Sequence, residues 1–184
     1  MAVVDLMVER IWPVARRIVL SWDDRASEIF IIDLPMQDMD RILEAIAAIT
    51  SAAVVLRYDG IHLNSEQPLT ALMRQKLVER SRVSTVHSLR AKVAQRTNCY
   101  FYFWIDAERG RLEIEMVFWN DLSFPAGLSL SKHKAMLGSL LRVAHHIRGE
   151  NHQSRCILST EYNSEPRELL KRPLPGSPRE VAIW

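Results

Sequence analysis

Tyr100-Phe101-Tyr102-Phe103-Trp104-Ile105, the loop Asp106-Ala107-Glu108-Arg109-Gly110, and Leu112-Glu113-Ile114-Glu115-Met116-Val117-Phe118-Trp119 are the positions that decide the fold class. Two β-branched and aromatic runs flank a short loop ending in glycine, which is the pattern of an antiparallel hairpin. Side chains alternate along a strand, so each run has two faces. Leu112, Ile114, Met116 and Phe118 form an all-apolar set and are expected in the core; Phe101, Phe103 and Ile105 share one face of the first strand. The pleat then sends Glu113 and Glu115 to the opposite face, beside Tyr100, Tyr102 and Trp104 where the register pairs them.

Helices and further hairpins extend from this unit in both directions. Downstream, Leu137, Leu140, Leu141, Ala144 and Ile147 lie on one helical stripe, with Ser131 as the expected cap and Gly149 as the stop. Residues 155–159 resemble a short strand. Upstream, Met39, Ile42, Leu43, Ile46 and Ile49 mark a helix capped by Asp38 or Gln37. Residues 53–58 read as a strand, and Asp59-Gly60 before Ile61 is the dipeptide of a tight hairpin. The spacing predicts helix over 66–96, with Pro68 in its first turn and a break near Ser81 to Ser84. At the start, Val4, Met7, Val8, Ile11 and Ala15 have helical spacing, and Pro13 is expected to end or kink that helix near Trp12. Residues 17–22 and 28–33 are expected to form an antiparallel pair.

Strands that come as hairpins and helices that come in separate blocks define an α+β class, a mainly antiparallel sheet of hairpins with helices packed on one face. A single α+β domain is expected over 1–171. A Pro-rich C-terminal tail, 172–184, follows it. Four of the eight prolines fall between 166 and 178, which predicts a short helical turn at 166–171 and an extended remainder. Val181-Ala182-Ile183-Trp184 is apolar enough to fold back and dock.

Composition bounds the function classes. A chain of 184 residues that is 48% hydrophobic and 25% charged is neither disordered nor a disulfide-framed miniprotein. Its formal net charge of +2 gives no bulk attraction to nucleic acid or membranes. Charge is nevertheless polarised. Residues 74–96 set seven Lys and Arg against Glu79 alone, a net +6, and residues 23–59 carry a net −5. With two cysteines, no signal-peptide pattern at Met1 to Asp5 and no run of ~18 apolar residues, a reduced, cytoplasmic setting is expected, without a membrane.

Few residue types gather in a pattern that chemistry requires. Glu113 and Glu115, about 7 Å apart along a strand, could serve as acid and base or hold a metal with Asp106 or Glu108. His145 and His146 are adjacent, so their rings diverge by about 100° on a helix and do not form a two-ligand zinc face. Cys156 sits in an apolar stretch and pairs with His145 or His146 only if the chain reverses at Gly149. The six glycines build no phosphate loop. No catalytic residue, metal ligand or cofactor is therefore assigned.

The unit from Tyr100 through Trp119, with Asn120-Asp121, Phe124-Pro125 and the helix that follows, resembles the hairpin-helix unit of some bacterial toxin-immunity proteins. The likeness covers about residues 100–148. It implies a small bacterial protein of the cytoplasm that neutralises one cognate toxin. The expected function is thus non-enzymatic protein binding, with Tyr100, Tyr102, Trp104, Asp106, Glu113 and Glu115 as the partner-binding face. The partner is a protein, a cognate toxin by the resemblance, with a homo-oligomer left open. Two other classes compete. One is a small hydrolase or transferase using the carboxylates or the Cys/His pair; the other is a nucleic-acid accessory protein using a basic helix over 74–96.

Overall fold

Local pattern becomes architecture where the apolar stripes meet. In a computed structural model, the structure describes residues 2–20, 26–94, 97–160 and 180–184. Long stripes lie on α1 (Ala2–Val19), α2 (Met39–Ile49) and α5 (Leu130–Arg148); α3 (Ala71–Arg80) and the single turn α4 (Asn120–Ser123) are shorter. The strands are β1 (Ala26–Pro35), β2 (Ser51–Tyr58), β3 (Ile61–Pro68), β4 (Thr85–Val93), β5 (Thr97–Asp106), β6 (Arg111–Trp119), β7 (Arg155–Thr160) and β8 (Glu180–Ala182). They form one sheet in the order β3-β2-β4-β5-β6-β1-β7-β8, antiparallel at every pairing. The α+β class with an antiparallel sheet holds.

One face of the sheet is core. Ile29, Ile31, Leu89, Phe101, Phe103, Ile114, Met116, Phe118 and Leu158 pack with Val8, Ile11, Ala15, Ile42, Leu43, Ile46, Leu137 and Leu141 from the helices. Each such side chain removed from water contributes about 1.5–3 kcal/mol against the entropy of ordering the chain. The pairs Lys134–Glu9 and Arg142–Asp5 join the polar flanks of α5 and α1. At the C-terminal end, Ile183 N donates to the Cys156 carbonyl at 2.8 Å and Cys156 N to the Trp184 carbonyl at 3.2 Å. Arg148 lies 5.2 Å from the Trp184 ring centre. Residues 180–184 thus dock on β7 and α5.

Five expectations need correction. Helix α1 runs through Pro13 and does not end near Trp12, because Ile11, Trp12, Ala15, Ile18 and Val19 are all buried and continue one packed stripe. Residues 17–19 are consequently helical, and the strand expected over 17–22 does not form there; β1 lies between β6 and β7 instead. The helix expected over 66–96 is three elements: the end of β3, then α3, then β4. Val86 to Val93 satisfies both periods, since Leu89 and Val93 are spaced by four. His87, Leu89, Ala91 and Val93 are buried in strand alternation, and pairing with β5 decides between the two. Pro68 therefore ends a strand, and Thr70 caps α3 by accepting from Met73 N at 3.2 Å. Finally, Ser129 rather than Ser131 is the cap residue of α5, with its carbonyl accepting from His133 N. Asp38 precedes α2 as expected, but its carboxylate pairs with Arg41 rather than capping. The helical turn at 166–171 lies outside the described residues.

Candidate functional site

The hairpin of β5 and β6 places the candidate residues together because its register opposes Tyr102 to Glu115 and Trp104 to Glu113. Phe101, Phe103 and Ile105 turn to the core, so Tyr100, Tyr102 and Trp104 necessarily turn away from it. Glu113 and Glu115 share that face, half-buried between buried neighbours. Trp104 is 46% exposed, more than any other Phe, Tyr or Trp among the described residues, and its Nε1 donates to Glu115 Oε2 at 3.1 Å. Asp106 stands at the loop end of the face, where Oδ1 accepts from Arg109 N at 3.1 Å.

Neighbouring strands enlarge the site. Val117 in β6 faces Glu28 of β1, and Glu115 faces Phe30, so Glu28 and Phe30 lie on the same face as the tyrosines. Trp119 closes one end and is 36% exposed. Two depressions result. One, of about 820 Å³, is lined by Trp104, Asp106, Arg109, Arg111, Glu113 and Glu115, among others. The second, of about 360 Å³, lies among Glu28, Arg57, Tyr100, Tyr102, Trp104 and Trp119. The face is not uniformly open: Glu28, Phe30, Ile32, Val117 and Ile157 are buried, and exposure concentrates at Trp104 and Trp119.

Glu28, Phe30, Arg57 and Trp119 were not singled out from the sequence. Alternation in β1 carried the signal for Glu28 and Phe30, since Ile29 and Ile31 are the inward pair. It could be used only once β1 was known to adjoin β6, a pairing between residues far apart in the chain.

The competing sites are dispersed. Burial pushes the Cys156 thiol well above its ordinary value, and Cys99 likewise. Both thiols are free, buried and suited to packing rather than nucleophilic attack. His145 instead meets the Trp184 ring, with centres 6.3 Å apart, and burial holds its protonation below the ordinary range. His133 Nε2 donates to the Pro125 carbonyl at 3.0 Å. No group of three or more metal-ligating side chains occurs among the described residues. The basic segment does not form one helix: Arg74, Lys76 and Arg80 lie on α3, while Arg90 and Lys92 lie on β4. Arg74 approaches Asp40 and Glu44, Arg80 pairs with Asp59, and Arg90 pairs with Glu66. Arg96 lies outside the described residues. No described helix is long and apolar enough to cross a membrane.

Aromatic rings beside carboxylates on one sheet face can hold a cationic or amphipathic group, the rings through their faces and the carboxylates through charge. Comparison with protein-family models, with curated proteins and with solved structures finds no match for this chain.

Proposed function

We propose that this chain is a non-enzymatic binding protein of the immunity type, which uses the face around Trp104 to engage and neutralise a cognate bacterial toxin. The observation that carries this reading is the exposure of Trp104 and Trp119 on the sheet face that also bears Tyr100, Tyr102, Glu113 and Glu115. Exposed tryptophan is costly in water and is enriched where proteins meet. The adjoining carboxylates favour a partner surface rich in Lys and Arg. Two free, buried thiols suit a reducing compartment, and we take the cytoplasm as its place of action.

The experiment begins with capture of a partner from the native host on the intact chain, followed by affinity measurement on the isolated pair. Trp104→Ala, and separately Glu113→Lys with Glu115→Lys, are expected to weaken binding at least tenfold while the variants stay folded. Unchanged affinity in both would remove this face from the interface. A captured partner whose expression alone leaves growth intact would overturn the immunity reading.

A further inference from the structure

At the loop end of the sheet, β1 leaves its register with β6. Ile31 faces Ile114 and Leu34 faces Leu112, so β1 fits one residue more than its neighbour across the same span. Such a bulge re-aims a side chain. Here it is Asp33, whose φ of +61° lies in the left-handed region although the residue carries a Cβ. Outliers of this kind persist only where the surroundings hold them, and they gather at functional positions.

The surroundings are arginines. Asp33 Oδ1 accepts from Arg111 Nη1 at 3.1 Å, and Oδ2 from Arg155 Nη2 at 2.8 Å and Nε at 3.3 Å. One carboxylate thus orients two guanidinium groups and neutralises one of their charges. A third guanidinium, Arg109, comes from the hairpin tip. That tip is held against β1, because Met36 N donates to the Gly110 carbonyl at 3.0 Å. Arg109 Nη1 is 3.6 Å from Asp106 Oδ2, an ion pair without hydrogen-bond contact. The three arginines and Gln153 border a hollow of about 520 Å³. Their side chains are about half exposed or more, at 49% for Arg111, 51% for Arg155 and 67% for Arg109.

A guanidinium has five N–H groups in a fixed plane. The bonds to Asp33 use one from Arg111 and two from Arg155. Three guanidinium groups against Asp33 and Asp106 leave the hollow one positive charge in excess. Forked donors from three arginines bordering one hollow match the several oxygens of a tetrahedral oxyanion. We propose that this hollow binds phosphate, gripped by Arg109, Arg111 and Arg155 and oriented by Asp33. The hollow adjoins the candidate face and shares Arg109 and Arg111 with its larger depression, but the proposal does not rest on the partner-binding reading.

Inorganic phosphate is the probe. The full chain is titrated at constant ionic strength and the arginine Nε–Hε resonances are followed by NMR, with sodium chloride as the control. Saturable shifts are expected at Arg109, Arg111 and Arg155, with a Kd in the millimolar range or tighter. Arg109→Ala, which removes no contact to Asp33, is expected to weaken phosphate about tenfold and leave the melting temperature unchanged. Arg155→Lys keeps the charge beside Asp33 but loses the fork, and is expected to weaken it comparably. Shifts that fail to saturate, or that chloride reproduces, would overturn the proposal. So would an Arg109→Ala protein that binds phosphate as the parent does, leaving the arginines a strap between strands.

Discussion

Phe103 and Trp104, consecutive in β5, stand on opposite sides of the sheet: the first has no exposed surface and the second is 46% exposed. Their substitutions should therefore separate folding from recognition. Phe103→Ala leaves a cavity in the core and is expected to cost about 3–5 kcal/mol of stability. Trp104→Ala removes an exposed ring and is expected to cost about 1 kcal/mol or less. Urea denaturation followed by circular dichroism checks both. Equal losses would mean that Trp104 is a structural side chain.

Arg41 on α2 occupies the space that a side chain at Gly149 would need, since a Cβ there would meet its Nη1 at 2.7 Å. The guanidinium donates to the carbonyls of His146 at 3.3 Å and Ile147 at 3.0 Å, so it satisfies the last turn of α5 from a neighbouring helix. Gly149 itself has φ 59° and ψ −133°, a conformation reserved for glycine. Gly149→Ala is expected to destabilise the protein by about 2 kcal/mol, through strain and displacement of Arg41. In combination with Arg41→Ala the loss should be less than additive, because the clash is then gone. Thermal denaturation of the two single variants and the double variant measures the coupling.

His87 is fully buried, stacked on Tyr58 with ring centres 5.7 Å apart, and its Nδ1 accepts from Asp59 N at 3.0 Å. Burial pulls its pKa down from 6.5 to about 4, partly offset by the Asp59 carboxylate. The unfolded chain therefore takes up this proton before the folded one does. Stability is intact above about pH 6.5 and falls as the pH drops toward 4, by roughly 3 kcal/mol at most. Denaturation midpoints measured across that window should show the fall. His87→Gln should be less stable at neutral pH and lack this part of the slope.

Cys99 and Cys156 are buried, and burial raises both thiols. A thiol-reactive reagent should label neither in the native protein at neutral pH and both in denaturant. Rapid native labelling of Cys156 would reopen the Cys/His reading.

The hairpin at 100–119 was legible because every second side chain on β6 through Met116 and Phe118 is apolar and no helical period fits it. The candidate face followed from the same alternation. Helix α2 was equally plain, its stripe of Met39, Ile42, Leu43 and Ile46 being buried throughout. What failed was local pattern that serves two periods. Leu89 and Val93 suit a helix as well as β4, and only the partner strand β5 separates the two. Ile18 and Val19 look like strand residues and are the last turn of α1. Asp33 illustrates a different gap: nothing in its neighbours along the chain announces two arginines from β6 and β7.

Strand β1 sits between β6 and β7, so an element near the beginning of the chain is stitched to partners from residues 111–119 and 155–160. A ribosome emitting this protein can release β2 to β5, each paired within that run, while β1 still lacks both partners. Strand β1 is thus paired on both sides only after β7 has been made, and these contacts between distant residues make assembly slow relative to a helical protein of this length. Until then Phe30 and Ile31 form an adhesive edge, and that interval is when the nascent chain is most vulnerable to self-association.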